Sequence, residues 1–330
     1  MQPDIRRILE NLRAHAVTSR DDARLVVFGK LHDAELRACN FKGAGTAGVR
    51  AAAPCGLFVA ESPRAIECAM RAGAHPFAVL VDETFLDIGA SVPCAGAELR
   101  AEAEPSATAL AELVSELADA WPQTPVFLAD SEEFCRITEY PLSRGIMAVF
   151  ARPEPLDAAA LLRSLDADGA RKRRVCIVEN VTNYANMASI FKSAAAFGID
   201  AVLITPSCHD PWYRRCVRVS DGAVFDVPWA YTNSPDATEP AGHWSTRGIQ
   251  LLHEASYTVV ALALRDDALS LGDPRFKVCE KLAFVLGTEG EGLDPRTIAA
   301  CDFTAIIPMA HDVDSLNVAA ASAVAFWELC

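Results

Sequence analysis

The fold of this chain is most clearly indicated by residues 281 to 329, KLAFVLGTEGEGLDPRTIAACDFTAIIPMAHDVDSLNVAAASAVAFWEL. Two continuous apolar runs within it, Leu282 to Leu286 and Ala305 to Ile307, have the composition of buried parallel strands. The first run leads into a glycine-rich turn, Gly287 to Gly292, where three glycines permit backbone conformations that a side chain would forbid. The second leads into Pro308 and Met309. We therefore expect two strand ends to converge on one crevice.

A helix is predicted after the second strand. Ser315 is a favourable N-cap residue, and Leu316 and Asn317 would then occupy the first helical turn. The residues that follow, Ala319 to Ser322, are small, so that another backbone would be able to pack closely against them. Two strand ends and a capped helix together predict a ligand site.

The bulk composition describes a globular protein without membrane segments. A chain of 330 residues with 51% hydrophobic residues should bury a full core and form two domains. No apolar run reaches the length of about 18 residues that a membrane helix needs, and the N-terminus lacks the apolar centre of a signal peptide, so we expect a cytoplasmic location. Eleven cysteines without a C-x-x-C pair predict neither a zinc site nor a disulfide framework, and no metal is expected.

The formal charge of −14 opposes non-specific attraction to nucleic acid. If RNA is the substrate, its binding site must therefore be locally basic on an acidic protein.

The N-terminal part contains two patterns of lower weight. Apolar residues recur at helical spacing in the first fifteen residues, which predicts an amphipathic helical extension over residues 1–24. The segment GAGTAG, residues 43 to 48, matches the G-x-G-x-x-G pattern of dinucleotide-binding turns. Its flanks resemble neither a buried strand nor a long helix, so we interpret it as a mobile loop.

From Gly56 the chain alternates between strand and helix patterns, which predicts a compact α/β domain over residues 25–152. The predicted strands are 57–60, 78–81, 126–129 and 146–150, and the predicted helices are 63–72, 108–118 and 132–138. Residues 153–172, which open with a Pro-rich segment and include a short amphipathic helix predicted around residues 161 to 165, are interpreted as a linker. Within them and just beyond, the basic run Arg171 to Arg174 is compatible with either a phosphate contact or a solvated surface.

A second α/β domain is predicted over residues 173–330. Its opening strand, 175–178, is followed by a helix that carries Asn186 and Lys192, ends at Gly198 and leads into strand 201–205. A further helix, 244–255, and a further strand, 258–264, precede the C-terminal stretch. Between strand 201–205 and helix 244–255, three arginines, Arg214, Arg215 and Arg218, stand next to Trp212 and Tyr213, which combines charge for phosphates with planar surfaces for bases.

Three separate motifs, in order, resemble those of the SPOUT superfamily of methyltransferases, in its TrmH/SpoU family of RNA ribose 2'-O-methyltransferases. They are NMASIFK from Asn186 to Lys192, the G-x-E-G-x-G turn from Gly287 to Gly292, and the pair formed by Ile307 to Met309 and Ser315 to Val318. The segments LFVAESPRAIECAMRAG and ITEYPLSRGIMA resemble, less specifically, the ribosomal-protein-like RNA-binding domain that often precedes this catalytic domain.

The resemblance implies an α/β protein in which a C-terminal SPOUT domain with a parallel sheet and a deep trefoil knot follows a smaller α/β RNA-binding domain. It also implies S-adenosyl-L-methionine as cofactor, rRNA or tRNA as substrate, and a homodimer. Residues implied to bind the cofactor are Leu286, Gly287, Gly292, Ile307, Met309 and Leu316. Residues implied in catalysis are Lys192, Asn186, Glu289, Ser315 and Asn317, and the arginines expected to contact RNA are Arg214, Arg215, Arg218 and Arg144.

Lys192 stands where the family has arginine. A lysine does not make the planar bidentate contact of a guanidinium with phosphate, yet a desolvated ammonium releases its proton more readily than a guanidinium does. Two alternatives to a ribose methyltransferase therefore stay open. One is a non-catalytic RNA-binding or assembly paralogue that keeps the fold, and the other is an enzyme of the same superfamily that methylates a base.

Overall fold

The structure is a computed structural model that describes residues 15–17, 23–29, 32–39, 46–86, 107–139, 144–167, 169, 172–233, 244–288, 290–311 and 315–330. The chain divides into two compact units. The first comprises Met1–Glu154 together with Trp212–Gly222, and the second comprises Pro155–Pro211 and Ala223–Cys330. No helix among the described residues is long and apolar enough to cross a membrane.

A five-stranded sheet forms the centre of the first unit. Its strands are β1 (His15–Ala16), β2 (Leu57–Ala60), β3 (His75–Asp82), β4 (Val126–Ala129) and β5 (Ile146–Ala151), in the order β1-β4-β3-β5-β2. β5 runs antiparallel to its two neighbours, and the other pairs are parallel. The helices are α1 (Asp33–Ala38), α2 (Thr46–Ala52), α3 (Pro63–Arg71), α4 (Ala107–Ala120) and α5 (Ser131–Thr138), preceded by a 3-10 helix at Ala23–Phe28. Alternate residues of β2 and β5, among them Leu57, Val59, Met147 and Val149, belong to an apolar core shared with α1 and α5, and the residues between them are buried as well.

The second unit is built on a seven-stranded sheet whose pairs are all parallel. Its strands are β6 (Arg173–Val178), β7 (Ala201–Ile204), β8 (Trp229–Tyr231), β9 (Thr258–Leu262), β10 (Leu269–Ser270), β11 (Lys281–Leu286) and β12 (Phe303–Ile306), in the order β10-β12-β9-β11-β6-β7-β8. Apolar side chains of the central strands are buried on both faces, as the continuous apolar runs predict.

The described residues of this unit form the helices α6 (Ala158–Leu165), α7 (Tyr184–Phe197), α9 (Trp244–Glu254), α10 (Pro274–Val278), α11 (Pro295–Ala300) and α12 (Val318–Leu329). Between α7 and α9 the chain forms α8 (Arg214–Val219), which lies in the first unit. Local capping sets the ends of α7: the Asn183 side chain accepts hydrogen bonds from two backbone N–H groups, and Gly198 ends the helix with φ of 72°.

The predicted α/β class and most predicted elements are confirmed. Every strand predicted between residues 57 and 307 and every helix predicted between residues 63 and 255 is present, with boundaries displaced by at most three residues. The knot depends on how the chain threads through itself rather than on strand order, and it stays a prediction.

Four details of the sequence interpretation are wrong. Helix α12 begins at Val318 and is capped by Asn317, so Ser315 is not its N-cap. Half of the GAGTAG segment belongs to helix α2 instead of a loop. His15 and Ala16 form a strand paired with β4, so this part of the N-terminal segment is not helical; the preceding residues lie outside the described chain. Arg173 and Arg174 are neither solvated nor phosphate-facing, because they begin β6 and are buried.

The structural units also differ from the predicted boundaries 25–152, 153–172 and 173–330. The predicted linker contains α6, whose Leu161 and Leu162 are buried in the core of the second unit. Trp212–Gly222 is grouped with the first unit. The reason is local packing: Trp212 lies 5.7 Å from the Phe58 ring, and the Arg214 backbone N–H donates to the Asp33 carboxylate at 3.0 Å.

Candidate active site

A cavity of about 530 Å³ lies in the second unit where β9, β11 and β12 end. Its walls are mainly apolar or backbone, which suits a small organic ligand, and its volume is in the range of ordinary ligand sites. Among the residues that line it are Leu262, Leu264, Leu286, Gly287, Glu291, Gly292, Ile307, Met309, Ser315 and Leu316. The carboxyl ends of neighbouring parallel strands meet at one edge of the sheet, as expected for a binding crevice in this class of fold.

The structure brings all six predicted cofactor residues to this one cavity. They come from two strand ends and from the segment before α12, which are up to thirty residues apart in the chain. Ser315, predicted as a catalytic residue, lines the same cavity.

The glycine turn is closed on itself at its base. Thr288 and Gly292 form an antiparallel bridge, and a Cβ atom at Gly287 would lie 2.6 Å from the carbonyl carbon of Gly292. Gly290 and Gly292 have φ of 90° and 69°, in the region that favours glycine. The turn therefore needs glycine for close approach and for its backbone conformation. Glu289, the predicted catalytic residue in this turn, lies outside the described residues.

A buried carboxylate, Glu179, links the end of β6 to the segment that follows the turn. Glu179 is fully buried, and its Oε1 accepts a hydrogen bond from the Asp294 backbone N–H at 2.7 Å. Its Oε2 accepts from Trp244 Nε1 and from Thr297 Oγ1, both at 2.5 Å. The three donors provide the partners that a buried anion requires. Sequence reasoning missed this residue, although a glutamate directly after a buried apolar strand was a visible signal.

Two of the predicted catalytic residues contact each other. Asn317 Nδ2 donates to Asn186 Oδ1 at 3.2 Å, and the Oδ1 atom of Asn317 accepts the Ala319 backbone N–H as the cap of α12. Asn186 lies in the first turn of α7, and Asn317 directly follows Leu316 on the cavity wall. This bond connects the first and third sequence motifs, which are 131 residues apart.

Within the single chain, Lys192 contributes neither to the cavity wall nor to the hydrogen bond between Asn186 and Asn317. It is exposed on α7 and is not among the residues that line the cavity. Six residues of α-helix turn through about 240° beyond a full turn, so Lys192 and Asn186 occupy different faces of α7. Because the Lys192 side chain is exposed to solvent, the described residues around it do not bury its ammonium group.

The four predicted RNA-contacting arginines lie in the first unit, and three of them have acidic neighbours. Arg214 Nε lies 3.3 Å from Glu61 Oε1, and Arg218 Nη1 lies 3.9 Å from Glu61 Oε2. Arg144 Nη1 lies 3.6 Å from Asp221 Oδ1. The Arg214 side chain is only 14% exposed, whereas that of Arg218 is 67% exposed and Arg215 is also exposed. The arginines are therefore unequal: Arg214 is held in the structure, and Arg215 and Arg218 face solvent.

Among the described residues, no group of three or more histidine, cysteine or acidic side chains is placed to hold a metal ion. Close to the buried glutamate, burial together with the charges of Asp302 and Glu179 raises the pKa of the Cys301 thiol to about 12. This thiol is consequently a structural group and a poor nucleophile at neutral pH.

Comparison with known proteins agrees with this geometry. Residues 173–327 match the family model described as the SpoU rRNA Methylase family. An uncharacterized tRNA/rRNA methyltransferase of Mycobacterium tuberculosis is 35% identical over 221 residues, which are 66% of this chain and 70% of that protein. The 23S rRNA (guanosine(2553)-2'-O)-methyltransferase RlmP of Bacillus subtilis is 25% identical over 62% of this chain and 71% of its own length.

The fold also matches the crystal structure of an AdoMet-bound rRNA methyltransferase from Sinorhizobium meliloti, with a TM-score of 0.66 and 19% identity over 96% of this chain and 97% of that one. The parallel sheet, the crevice at its carboxyl edge and these relatives define an RNA methyltransferase. The chain belongs to the SpoU rRNA methylase family.

Proposed function

We propose that this protein is an S-adenosyl-L-methionine-dependent RNA 2'-O-ribose methyltransferase that acts on rRNA or tRNA. The observation that carries the proposal is the convergence of six predicted cofactor residues and Ser315 on one cavity, beside the hydrogen bond between Asn186 and Asn317. The name of the Bacillus subtilis relative, which specifies 2'-O methylation of 23S rRNA, supports the same reaction. An rRNA or tRNA substrate agrees with the cytoplasmic location predicted from the sequence.

The cavity has the size and lining that this cofactor requires. Leu286, Ile307, Met309 and Leu316 would surround the adenine, and backbone groups of the closed glycine turn would satisfy its polar edge. When bound, the cofactor supplies an electrophilic methyl group. The residues of the chain have to hold the cofactor in one orientation and keep water away from it.

The ribose hydroxyl would be positioned by the residues at the mouth of the cavity. Asn186 and Asn317 hold each other, so that their remaining polar atoms are presented in a defined direction. Ser315 would contact the flanking phosphate, and Glu289 would anchor the glycine turn. We assign Lys192 the task of the family arginine, which is to hold phosphate and favour loss of the hydroxyl proton.

Arg215, Arg218, Arg144 and Arg214 are proposed to form the basic surface that an RNA substrate needs on this acidic protein. Exposure favours Arg215 and Arg218 as direct phosphate contacts, since Arg214 is largely buried beside Glu61. Arg144, half-exposed and near Asp221, would contribute more weakly.

A homodimer is proposed through helix α12. Its exposed positions Ala320, Val324 and Trp327 recur at helical spacing and form an apolar stripe that continues Leu316. Trp327 is 73% exposed, although its ring already lies 6.0 Å from that of Phe197. A second copy of the same stripe would cover this surface in an isologous interface.

Methyl transfer tests the proposed function directly. The purified chain is incubated with labelled S-adenosyl-L-methionine and total RNA from cells that lack this protein, between roughly pH 7 and pH 9.5. We expect label in one RNA and resistance of the modified nucleotide to alkaline cleavage, because a methylated 2'-oxygen does not attack the adjacent phosphate. Absence of transfer at every pH would overturn the proposal, and transfer without alkali resistance would indicate base methylation.

The second candidate, a non-catalytic RNA-binding paralogue, is favoured by Lys192 in place of the family arginine, by Asp221 and by the acidic charge of the chain. Lys192→Arg separates the two. A native lysine enzyme should lose rate or change little, whereas a decayed site should gain methylation from none. Calorimetry with S-adenosyl-L-methionine adds a control, because a catalytically active protein has to show binding.

A further inference from the structure

A cluster of amide and hydroxyl groups lies at the same edge of the sheet as the cavity, over β6 and β7. Val178 pairs in register with both Leu286 and Ile204, so the ends of β11, β6 and β7 are level. Asn180 follows β6, and Thr205 and Ser207 follow β7. Because adjacent strands lie about 4.8 Å apart, this cluster begins one strand away from Leu286 on the cavity wall.

The hydroxyl groups fix the orientation of the Asn180 amide. Thr205 Oγ1 accepts the Asn180 backbone N–H at 3.0 Å, so its own hydrogen points to another acceptor. Ser207 Oγ donates to Asn180 Oδ1, and Thr205 Oγ1 lies 3.5 Å from the same oxygen. With Oδ1 held by hydroxyl donors, Nδ2 is turned away from them. It has no hydrogen-bond partner within the part of the chain that the structure describes.

The backbone at Asn180 also has an uncommon conformation. Its φ of 58° lies in the left-handed region, which non-glycine residues rarely adopt and in which asparagine is among the better tolerated. Asn180 is exposed, whereas Thr205 beneath it is buried. The chain thus holds an exposed amide in a single orientation at the edge where the substrate would lie.

We infer that Asn180, oriented by Thr205 and Ser207, reads the base of the target nucleotide and selects a base with a keto group. The inference rests on the proposed function. Guanine and uracil present a carbonyl oxygen, O6 or O4, where adenine and cytosine present an amino group. The NH₂ group of an oriented amide donates a hydrogen bond to a carbonyl oxygen. Opposite an amino group, two donors face each other and no hydrogen bond forms. Single-stranded bases in RNA are read in this way, on their hydrogen-bonding edges.

Asn180→Asp is the sharpest variant. Aspartate also tolerates the left-handed conformation and keeps an acceptor for Ser207, but it presents an acceptor outward in place of the amide donors. Once the target site has been mapped, four transcripts carry G, U, A or C at that position. For the wild-type protein we expect kcat/KM for the keto bases to exceed that for the amino bases by about tenfold or more. The variant should lose or invert this ratio, while its affinity for S-adenosyl-L-methionine stays unchanged.

Ser207→Ala provides a second variant, because it frees the amide to rotate. It should reduce the ratio between keto and amino bases without a comparable loss of kcat on the preferred base. Gln250→Ala, which removes an exposed amide on α9, is the matched control and should leave the ratio unchanged. An unchanged ratio in Asn180→Asp, or an equal loss on all four bases, would overturn the inference.

Failure of the proposed function gives a different result. If the wild-type protein transfers no methyl group, the same four bases are compared in equilibrium binding of short single-stranded RNAs. A preference for keto bases that disappears in Asn180→Asp would support the base contact in a non-catalytic protein. Equal affinities in the wild-type protein would overturn it.

Discussion

At the scale of single residues, Glu179 connects the sheet to the cofactor crevice. We predict that Glu179→Gln loses about 1–3 kcal/mol of unfolding free energy and at least part of its cofactor affinity. A glutamine carries one acceptor oxygen, so its NH₂ group would face either the Asp294 N–H or the Trp244 and Thr297 donors. Urea unfolding and calorimetry with S-adenosyl-L-methionine measure the two effects. Glu254→Gln, at an exposed position on α9, is the control, and equal behaviour of the two variants would refute this role.

The thiol of Cys301 yields a second prediction at this scale. Because burial raises its pKa to about 12, the thiolate fraction is very small near pH 7.5 and grows as the pH approaches 12. Maleimide labelling of the native protein should modify the exposed Cys330 long before Cys301, which peptide mass spectrometry detects. In denaturant the two thiols should react at similar rates. Rapid labelling of Cys301 in the native protein near pH 7.5 would contradict its raised pKa.

At the scale of elements, the closed base of the glycine turn sets the shape of the crevice. Gly287→Ala would place a methyl group 2.6 Å from the carbonyl carbon of Gly292, so the turn has to open. We predict a loss of cofactor affinity of at least tenfold in calorimetry. Gly272→Ala is the matched control, since the nearest atom to its added methyl group would be the end of the flexible Glu328 side chain, at 3.4 Å. Similar affinities in the two variants would show that the turn tolerates opening.

The start of helix α12 combines a cap with a contact between motifs, and two variants of Asn317 separate these tasks. Asn317→Ala removes both and should cost about 1 kcal/mol of stability, the usual value of an N-cap. Asn317→Asp keeps the capping oxygen but loses the donor to Asn186. We expect near-normal urea unfolding for Asn317→Asp together with a reduced kcat. Full activity of this variant would show that the contact with Asn186 is dispensable.

At the scale of the whole molecule, the exposed stripe of α12 predicts assembly. Trp327→Glu should convert a dimer into a monomer, because a charge at the centre of an apolar interface is desolvated without a partner. Light scattering during size-exclusion chromatography measures the mass, and circular dichroism checks that the fold is kept. Val278→Glu, at an equally exposed apolar position on α10, should leave the mass unchanged. A wild-type monomer at micromolar concentration would contradict the proposed interface.

Periodicity and composition predicted the elements well because local patterns report burial. Continuous apolar runs become parallel strands covered on both faces, as in β6 and β11, and Gly198 ends α7 because it adopts φ of 72° without strain. The cap of α12 shows the limit of local patterns. Ser315 and Asn317 are both favourable N-cap residues, and the structure has Asn317 in that position, where its side chain accepts the Ala319 backbone N–H.

The α/β class, the order of strands and helices, and the residues whose small size or chemistry suits a cofactor crevice are all predictable from local sequence. Which side chains contact each other is visible only in the folded chain. Asn186 contacts Asn317 across 131 residues, Glu179 reaches Asp294, and Arg214 is turned toward Glu61. The physical reason is that apolar burial follows a local period along the chain, whereas hydrogen bonds and ion pairs depend on distances that exist only after the sheet has assembled. The glycine turn from Gly287 to Gly292 thus becomes a binding site only through neighbours that lie far away in sequence.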